Sequence, residues 1–223
     1  MADATPIAQP NELTDATLLA GTAGLMDAVV YLNHGHVFAN AMTGNVIFLG
    51  IAVVGSNWAG IIPRLLPLAG FFLGVLISKH ICVTLGARAV PLALSIEILT
   101  VLGLGALPIY MHHMLFTGIL AFVSALQVAT IRRVHSFNYN STFMTGNIRD
   151  VADGLYEALA PFSSSEMRAE GRGRAVDFGF ITLAYFVGAI VGGWAAPRLF
   201  NHSLWLAEPL LIAVGLRSLR NLH

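Results

Sequence analysis

The sequence predicts an all-α, polytopic membrane protein assembled from two related halves. Three observations carry that expectation. Only 11% of the 223 residues are charged while 56% are hydrophobic, and mean hydropathy is +0.73; soluble domains carry about 25% charged residues. Long apolar runs recur at roughly 15–33, 36–55, 62–84, 89–110, 114–131, 177–197 and 204–218, and about 17 residues or more of helix suffice to cross a hydrocarbon core of about 30 Å. Finally, Met-Thr-Gly-Asn occurs twice, at 42–45 and again at 144–147.

The composition excludes several classes of function. A formal net charge of zero argues against a nucleic-acid partner, which demands a basic face. Cys82 is the one cysteine, so neither a disulfide framework nor a thiolate metal site is expected. Residues 1–15 hold Asp3, Glu12 and Asp15 but no Lys or Arg, unlike the basic start of a secretory signal, and no cleaved leader is expected. His-Glu-x-x-His, Gly-x-Ser-x-Gly and Walker patterns are absent from the sequence. No enzyme, catalytic residue or cofactor is therefore expected.

The repeat extends beyond the two motifs. Gly24-Leu25-Met26-Asp27-Ala28 lines up with Ala125-Leu126-Gln127-Val128-Ala129, and His34 with His135. Gly70, Gly74 and Ser78 match Ala184, Gly188 and Gly192, and Glu97 matches Glu208. Four matches in one order define two halves, about 13–111 and 114–220, in a single membrane domain. Small residues at every fourth position allow close helix approach, either between the halves or in a homodimer.

Each half then reads as one helix, a Met-Thr-Gly-Asn segment and two further helices. Arg149, Asp150, Asp153 and Glu157 crowd the second motif segment, and one charge at the bilayer centre costs at least about 2.5 kcal/mol. That segment is expected to be re-entrant or interfacial. With six spans, every Lys and Arg except Arg64 and Arg198 falls on one face, as cytoplasmic loops require. Three spans per half would make the halves inverted. Seven spans, with only the first motif segment crossing, give the same charge split. The polar stretch of about 160–174, including Ser163, Ser164 and Ser165, is expected as a cytoplasmic loop. Trp58, Trp194 and Trp205 fit interfacial anchors.

Glycine beside Thr and Asn inside an apolar run marks a helix start at membrane depth. A helix from Thr43 to about Gly55 is about 20 Å long, too short to cross. Its N-terminal amides and dipole would face an anion or carbonyl group, and two such starts in inverted halves would meet near the midplane, as in transporters. Thr43, Gly44, Asn45, Thr145, Gly146 and Asn147 are thus candidate solute-binding residues. Asn40 and Thr142, just before the two breaks, and Gln127, beside the counterpart of Asp27, complete the candidate set together with Asp27 itself. Asp27, Glu97 and Glu208 are intramembrane carboxylates and candidates for proton coupling. The plain alternative is that the motif polar groups hydrogen-bond neighbouring helices and fix packing, and that Glu208, before Pro209, merely starts a helix. His34, His36, His112 and His113 would share the outer face, but no carboxylate or thiolate joins them, and no metal is expected.

Gly-Leu-Met-Asp-Ala-Val at 24–29, Ala-Met-Thr-Gly-Asn at 41–45, Ala-Leu-Gln at 125–127, Arg132-Arg133 and Phe-Met-Thr-Gly-Asn at 143–147 together resemble the YoaK family, a bacterial group of multi-pass inner-membrane proteins built on a domain of unknown function. The resemblance covers nearly the whole chain. It implies a bacterial cell (inner) membrane location and brings neither a substrate nor site residues. His34-Gly35-His36 departs from the small or apolar residues the family has there.

The residues lead first to a small secondary transporter or channel for a small solute or ion, coupled to protons or not, whose partners are membrane lipid and that solute. The alternative is a non-transporting structural or sensory membrane protein.

Overall fold

The computed structural model describes residues 12–108, 113–131, 133–135 and 137–222. Of the positions singled out above, Asp3, His112 and Arg132 lie outside the described residues. The elements are α1 (Glu12–Asn33), α2 (Met42–Val54), α3 (Trp58–Leu85), α4 (Ala89–Gly105), α5 (His113–Thr130), β1 (Arg133–Val134), β2 (Phe137–Asn138), α6 (Met144–Leu159), α7 (Ser165–Leu199) and α8 (Glu208–Arg220). The chain is all-α apart from the two-residue antiparallel ladder of β1 and β2, where Val134 pairs with Phe137.

Among the described residues, four stretches are long and apolar enough to cross a membrane: Leu13–Asn33, Trp58–Gly105, His113–Thr130 and Ser165–Arg220. The second and fourth are each divided by a corner. α3 ends at Gly86 (φ 55°, ψ −124°), whose N–H donates to the Cys82 carbonyl, and a 3-10 turn over Gly86–Arg88 leads into α4. α7 ends at Phe200 (φ 52°, ψ −128°), whose N–H donates to the Ala196 carbonyl, and a 3-10 segment over Phe200–Leu206 leads towards α8. The same order, one helix, a motif helix and a cornered pair, thus runs through both halves.

The two small-residue series hold the molecule together by exchange between halves. α3 packs along α5 and α7 along α1. A Cβ at Gly74 would run into the Phe122 carbonyl, and one at Gly70 into that of Gly118. Ser78 Oγ donates to the Leu126 carbonyl at 3.2 Å. In the other pair, Gly188 meets the Gly21 carbonyl, Gly192 that of Leu25, and Gly24 that of Tyr185. Absent side chains let these backbones touch. The homodimer expected as one use of these stripes loses that surface, because the stripes are buried within the chain.

One further expectation changes. The stretch of about 160–174 is loop only over 160–164; residues 165–174 are the first turns of α7, capped by Ser164, whose Oγ accepts the Met167 N–H at 3.1 Å. Polar as they are, these turns form because α6 lies against them. Gly154 and Gly171 bring the backbones together, and Arg174 reaches Glu157 at 3.3 Å and Asp150 at 3.7 Å. Of the charges after Asn147, Asp150 and Glu157 are therefore spent on α7, while Arg149 and Asp153 face each other within α6. The main apolar core, with Leu94, Val101, Leu120 and Leu211, lies where α1, α4, α5 and α8 converge.

Candidate functional site

Both motifs start helices. α2 begins at Met42 and α6 at Met144, and their N-cap residues, Ala41 (φ −78°, ψ 68°) and Phe143 (φ −96°, ψ 67°), share one backbone conformation. The motif asparagine does not cap its own helix; it reaches back seven residues. Asn45 Oδ1 accepts the Phe38 N–H at 2.8 Å and its Nδ2 donates to the Phe38 carbonyl at 2.8 Å. Asn147 Nδ2 donates to the Asn140 carbonyl at 3.2 Å. Each amide stands in for a strand partner and locks the entry loop. The motif glycine lies under an aromatic ring: a Cβ at Gly44 would meet Phe38, and one at Gly146 would meet Phe143. Thr43 and Thr145 are exposed.

The two starts were expected to meet and share a polar chamber. Instead α2 packs on α3 and α6 on α7, and no hydrogen bond joins the motifs among the described residues. The reason is local: each asparagine is buried and its amide turned onto its own loop.

Asp27 belongs to the first of these loops. Its Oδ1 accepts the Asn40 N–H at 2.7 Å, and its Oδ2 accepts the Ala41 N–H at 3.1 Å and the Tyr185 hydroxyl at 2.6 Å. Asn40 Nδ2 points to the Ala23 carbonyl at 3.4 Å. On the second loop, Thr142 donates from both N–H and Oγ1 to Asn140 Oδ1, at 2.9 and 2.8 Å. Asp27 thus ties α1, the entry to α2 and α7 into one unit.

Glu97 and Glu208 are different. Glu97, midway along α4, is 1% exposed, and Glu208, the first residue of α8, is 5% exposed. All four carboxyl oxygens are buried without a hydrogen-bond partner. The Glu208 carboxyl is the charged group acting on Glu97, and the Ser124 hydroxyl faces Glu97 without completing a hydrogen bond. Gln127, one turn further along α5 on the same face, is 3% exposed, and its Nε2 is also unpartnered. Buried carboxyls are normally paired or hydrogen-bonded; here two are buried without such partners, and Glu208 is close enough to act electrostatically on Glu97. Glu208 also has the plainer role its place before Pro209 suggested, since it is the first residue of α8.

A third polar cluster lies beyond the C-terminal end of α1. His34 Nε2–H donates to Asn201 Oδ1 at 2.8 Å, an orientation fixed because Asn201 Nδ2 donates to the Leu107 carbonyl at 3.0 Å. His34 Nδ1 therefore accepts from His113 Nδ1–H at 3.0 Å. Burial pushes the His34 imidazole down to about 4, with His113 adding to it and Asn201 opposing, so His34 is neutral near pH 7. His36 lies apart, exposed and against the Tyr31 ring. Among the described residues no group of three His, Cys, Asp or Glu is placed to hold a metal.

Sequence reasoning missed Tyr185, Ser124 and Asn201. Ser124 carried a signal, lying three residues before Gln127 on one helix face. Tyr185 and Asn201 carried none, because each acts across more than a hundred residues of chain.

The comparisons agree with the architecture. The family described as "Protein of unknown function (DUF1275)" matches residues 16–216. The "UPF0700 transmembrane protein YoaK" of Bacillus subtilis (strain 168) is 28% identical over 208 residues, covering 90% of each chain. No solved structure matches.

Proposed function

The chain belongs to the DUF1275 family, and from that premise we propose that this membrane protein is a small secondary transporter or channel of a bacterial cell (inner) membrane in which Glu97 and Glu208 carry the coupling proton or cation. One observation supports this above all: matching residues of the two halves bring two carboxyls together in an apolar core with every oxygen unpartnered. Two bare negative charges within electrostatic reach of each other in such surroundings repel, so in this reading the pair carries a proton or small cation. Ser124 and Gln127 offer a hydroxyl and an amide for the ion's next position. Glu97 is eight residues from either end of α4, about 12 Å of helix, which sets the ion near the middle of that crossing.

In this reading α1, α3, α4, α5, α7 and the run from Phe200 to Arg220, in which the 3-10 segment lengthens the short α8, cross, whereas the equally short α2 and the charged α6 do not. Three crossings per half make the repeats inverted. The basic residues, Arg64 and Arg198 aside, then lie on the cytoplasmic side.

The test is proton movement in liposomes holding the purified protein, driven by a broad panel of small solutes and ions. Wild type should move protons with at least one solute, and Glu97→Gln and Glu208→Gln should lose at least tenfold of that rate while remaining folded. Absence of movement in wild type across the panel would overturn the reading.

A second reading, a structural or sensory membrane protein, is favoured by a specific observation. Asp27, Asn45 and Asn147 spend their polar atoms on internal loop contacts, as packing elements do.

A further inference from the structure

Beside His34 and His113 an open groove of about 550 Å3 runs between the C-terminal end of α1 and the first turns of α3 and α5; its wall includes Asn57, Gly60, Arg64, His113 and Thr117. Among the described residues no Asp or Glu lines it, and Arg64 is its one formal charge. We propose that this groove binds an oxyanion, a carboxylate or phosphate group, held chiefly by the Arg64 guanidinium.

The case rests on how Arg64 is left. Among the described residues no carboxylate lies within salt-bridge distance of it, whereas Arg174 and Arg217, also partly buried, are matched: Arg174 by Asp150 and Glu157, Arg217 by Asp15 at 3.0 Å. One Arg64 Nη1 hydrogen returns to the Gly60 carbonyl of its own helix at 2.6 Å, and the Phe48 ring lies 5.9 Å from the guanidinium carbon. Arg64 Nε is buried with no acceptor at all. With Nε enclosed, as it also is in Arg168 and Arg174, and one Nη1 hydrogen returned to Gly60, the remaining Nη hydrogens are left for the two parallel bonds that a carboxylate or phosphate accepts.

A second donor points the same way. Asn57 Oδ1 is used to accept the Gly60 N–H at 3.1 Å, which leaves Nδ2 as the outward donor. A Cβ built on Gly60 would lie 2.8 Å from Asn57 Nδ2 and 3.0 Å from Arg64 Nη1. The missing side chain keeps open the small space over which both donors converge. His113 spends Nδ1–H on His34, so its Nε2 edge faces outward as an acceptor, suited to a hydroxyl or protonated oxygen of the same ligand. Binding here does not depend on the role of the carboxyl pair.

The anion has two sources, a free solute or a lipid headgroup, and the experiment separates them. The full chain in neutral detergent is titrated with phosphate, sulfate and acetate at constant ionic strength, following Trp58 fluorescence and Tm. The titration is repeated in phosphatidylcholine nanodiscs with and without phosphatidylglycerol. Wild type should give a saturable response to at least one oxyanion, weakened at least tenfold in Arg64→Gln and less in Arg64→Lys. Loss of the free-anion response only when phosphatidylglycerol is present assigns the headgroup as occupant, and persistence assigns the solute; both support the site. Should Arg64→Gln fail to fold, Gly60→Ala, which fills the space and keeps the charge, must weaken binding by the same factor. A response unchanged in the variants, or no saturable response in either setting, would overturn the proposal.

Discussion

Gly86 and Phe200, at matching corners of the two halves, hold the same left-handed backbone, φ 55° and ψ −124° against φ 52° and ψ −128°. Only one of them is glycine. A side chain in this region costs about 1–3 kcal/mol, so the second half carries strain that the first avoids. Gly86→Ala should destabilise the protein by about 1–2 kcal/mol. Phe200→Gly should stabilise it by up to about 1 kcal/mol, since the Phe200 ring is half exposed and contributes little packing. Reversible unfolding in mixed micelles checks both signs.

Three buried carboxyls invite one chemical change with opposite consequences. Asp27 accepts three hydrogen bonds, which an amide cannot accept in full, so Asp27→Asn should lose about 2–3 kcal/mol. Glu97 and Glu208 accept none from the rest of the protein, and replacing either by a neutral amide lifts the cost of burying an ionisable pair, so Glu97→Gln and Glu208→Gln should be neutral or stabilising by about 1–3 kcal/mol. Thermal unfolding of the three variants, side by side, decides whether the carboxyl pair is a packing element or a tolerated cost.

The crossed helix pairs predict a severe steric effect. Gly74→Leu would drive a side chain into the Phe122 carbonyl of α5, and Gly188→Leu into the Gly21 carbonyl of α1. Backbone cannot give as a side chain can, so each should cost about 3 kcal/mol or more. Gly193→Leu, with open space around its Cβ, should cost far less. Expression and unfolding of these three variants distinguish packing from propensity.

His34 predicts a pH dependence of stability. Its imidazole takes up a proton near 6.5 when unfolded but only near 4 when folded. Between those values the unfolded chain binds the extra proton, so the contribution of His34 is fully present above pH 6.5 and is lost as pH falls towards 4. The loss is on the order of a few kcal/mol. His34→Gln should flatten that part of the Tm profile while leaving the slope that comes from carboxylates.

The helices and their close packing were legible in the sequence because hydropathy and small-residue spacing are local signals. Gly70, Gly74 and Ser78, with Ala184, Gly188 and Gly192, announced close packing, although not which helices they would meet. The two motifs announced helix starts, expected at Thr43 in the first and found at Met42 and Met144, but not that Asn45 and Asn147 would turn back on their own loops, since a cap and a loop lock use the same side chain. The early turns of α7 were hidden because residues 165–174 are polar and become helical by packing on α6. Glu97 and Glu208 could be picked out as costly residues. Their approach to each other depends on both corners, which no local pattern encodes.

Infrared difference spectroscopy on proteoliposomes, stepping pH and exchanging H2O for D2O, tests the central claim most directly. A shared proton predicts a neutral-carboxyl C=O stretch that shifts in D2O, changes with pH, and disappears or moves in both Glu97→Gln and Glu208→Gln. A spectrum with no such stretch and no bound cation, or one that either substitution leaves unaltered, would contradict it.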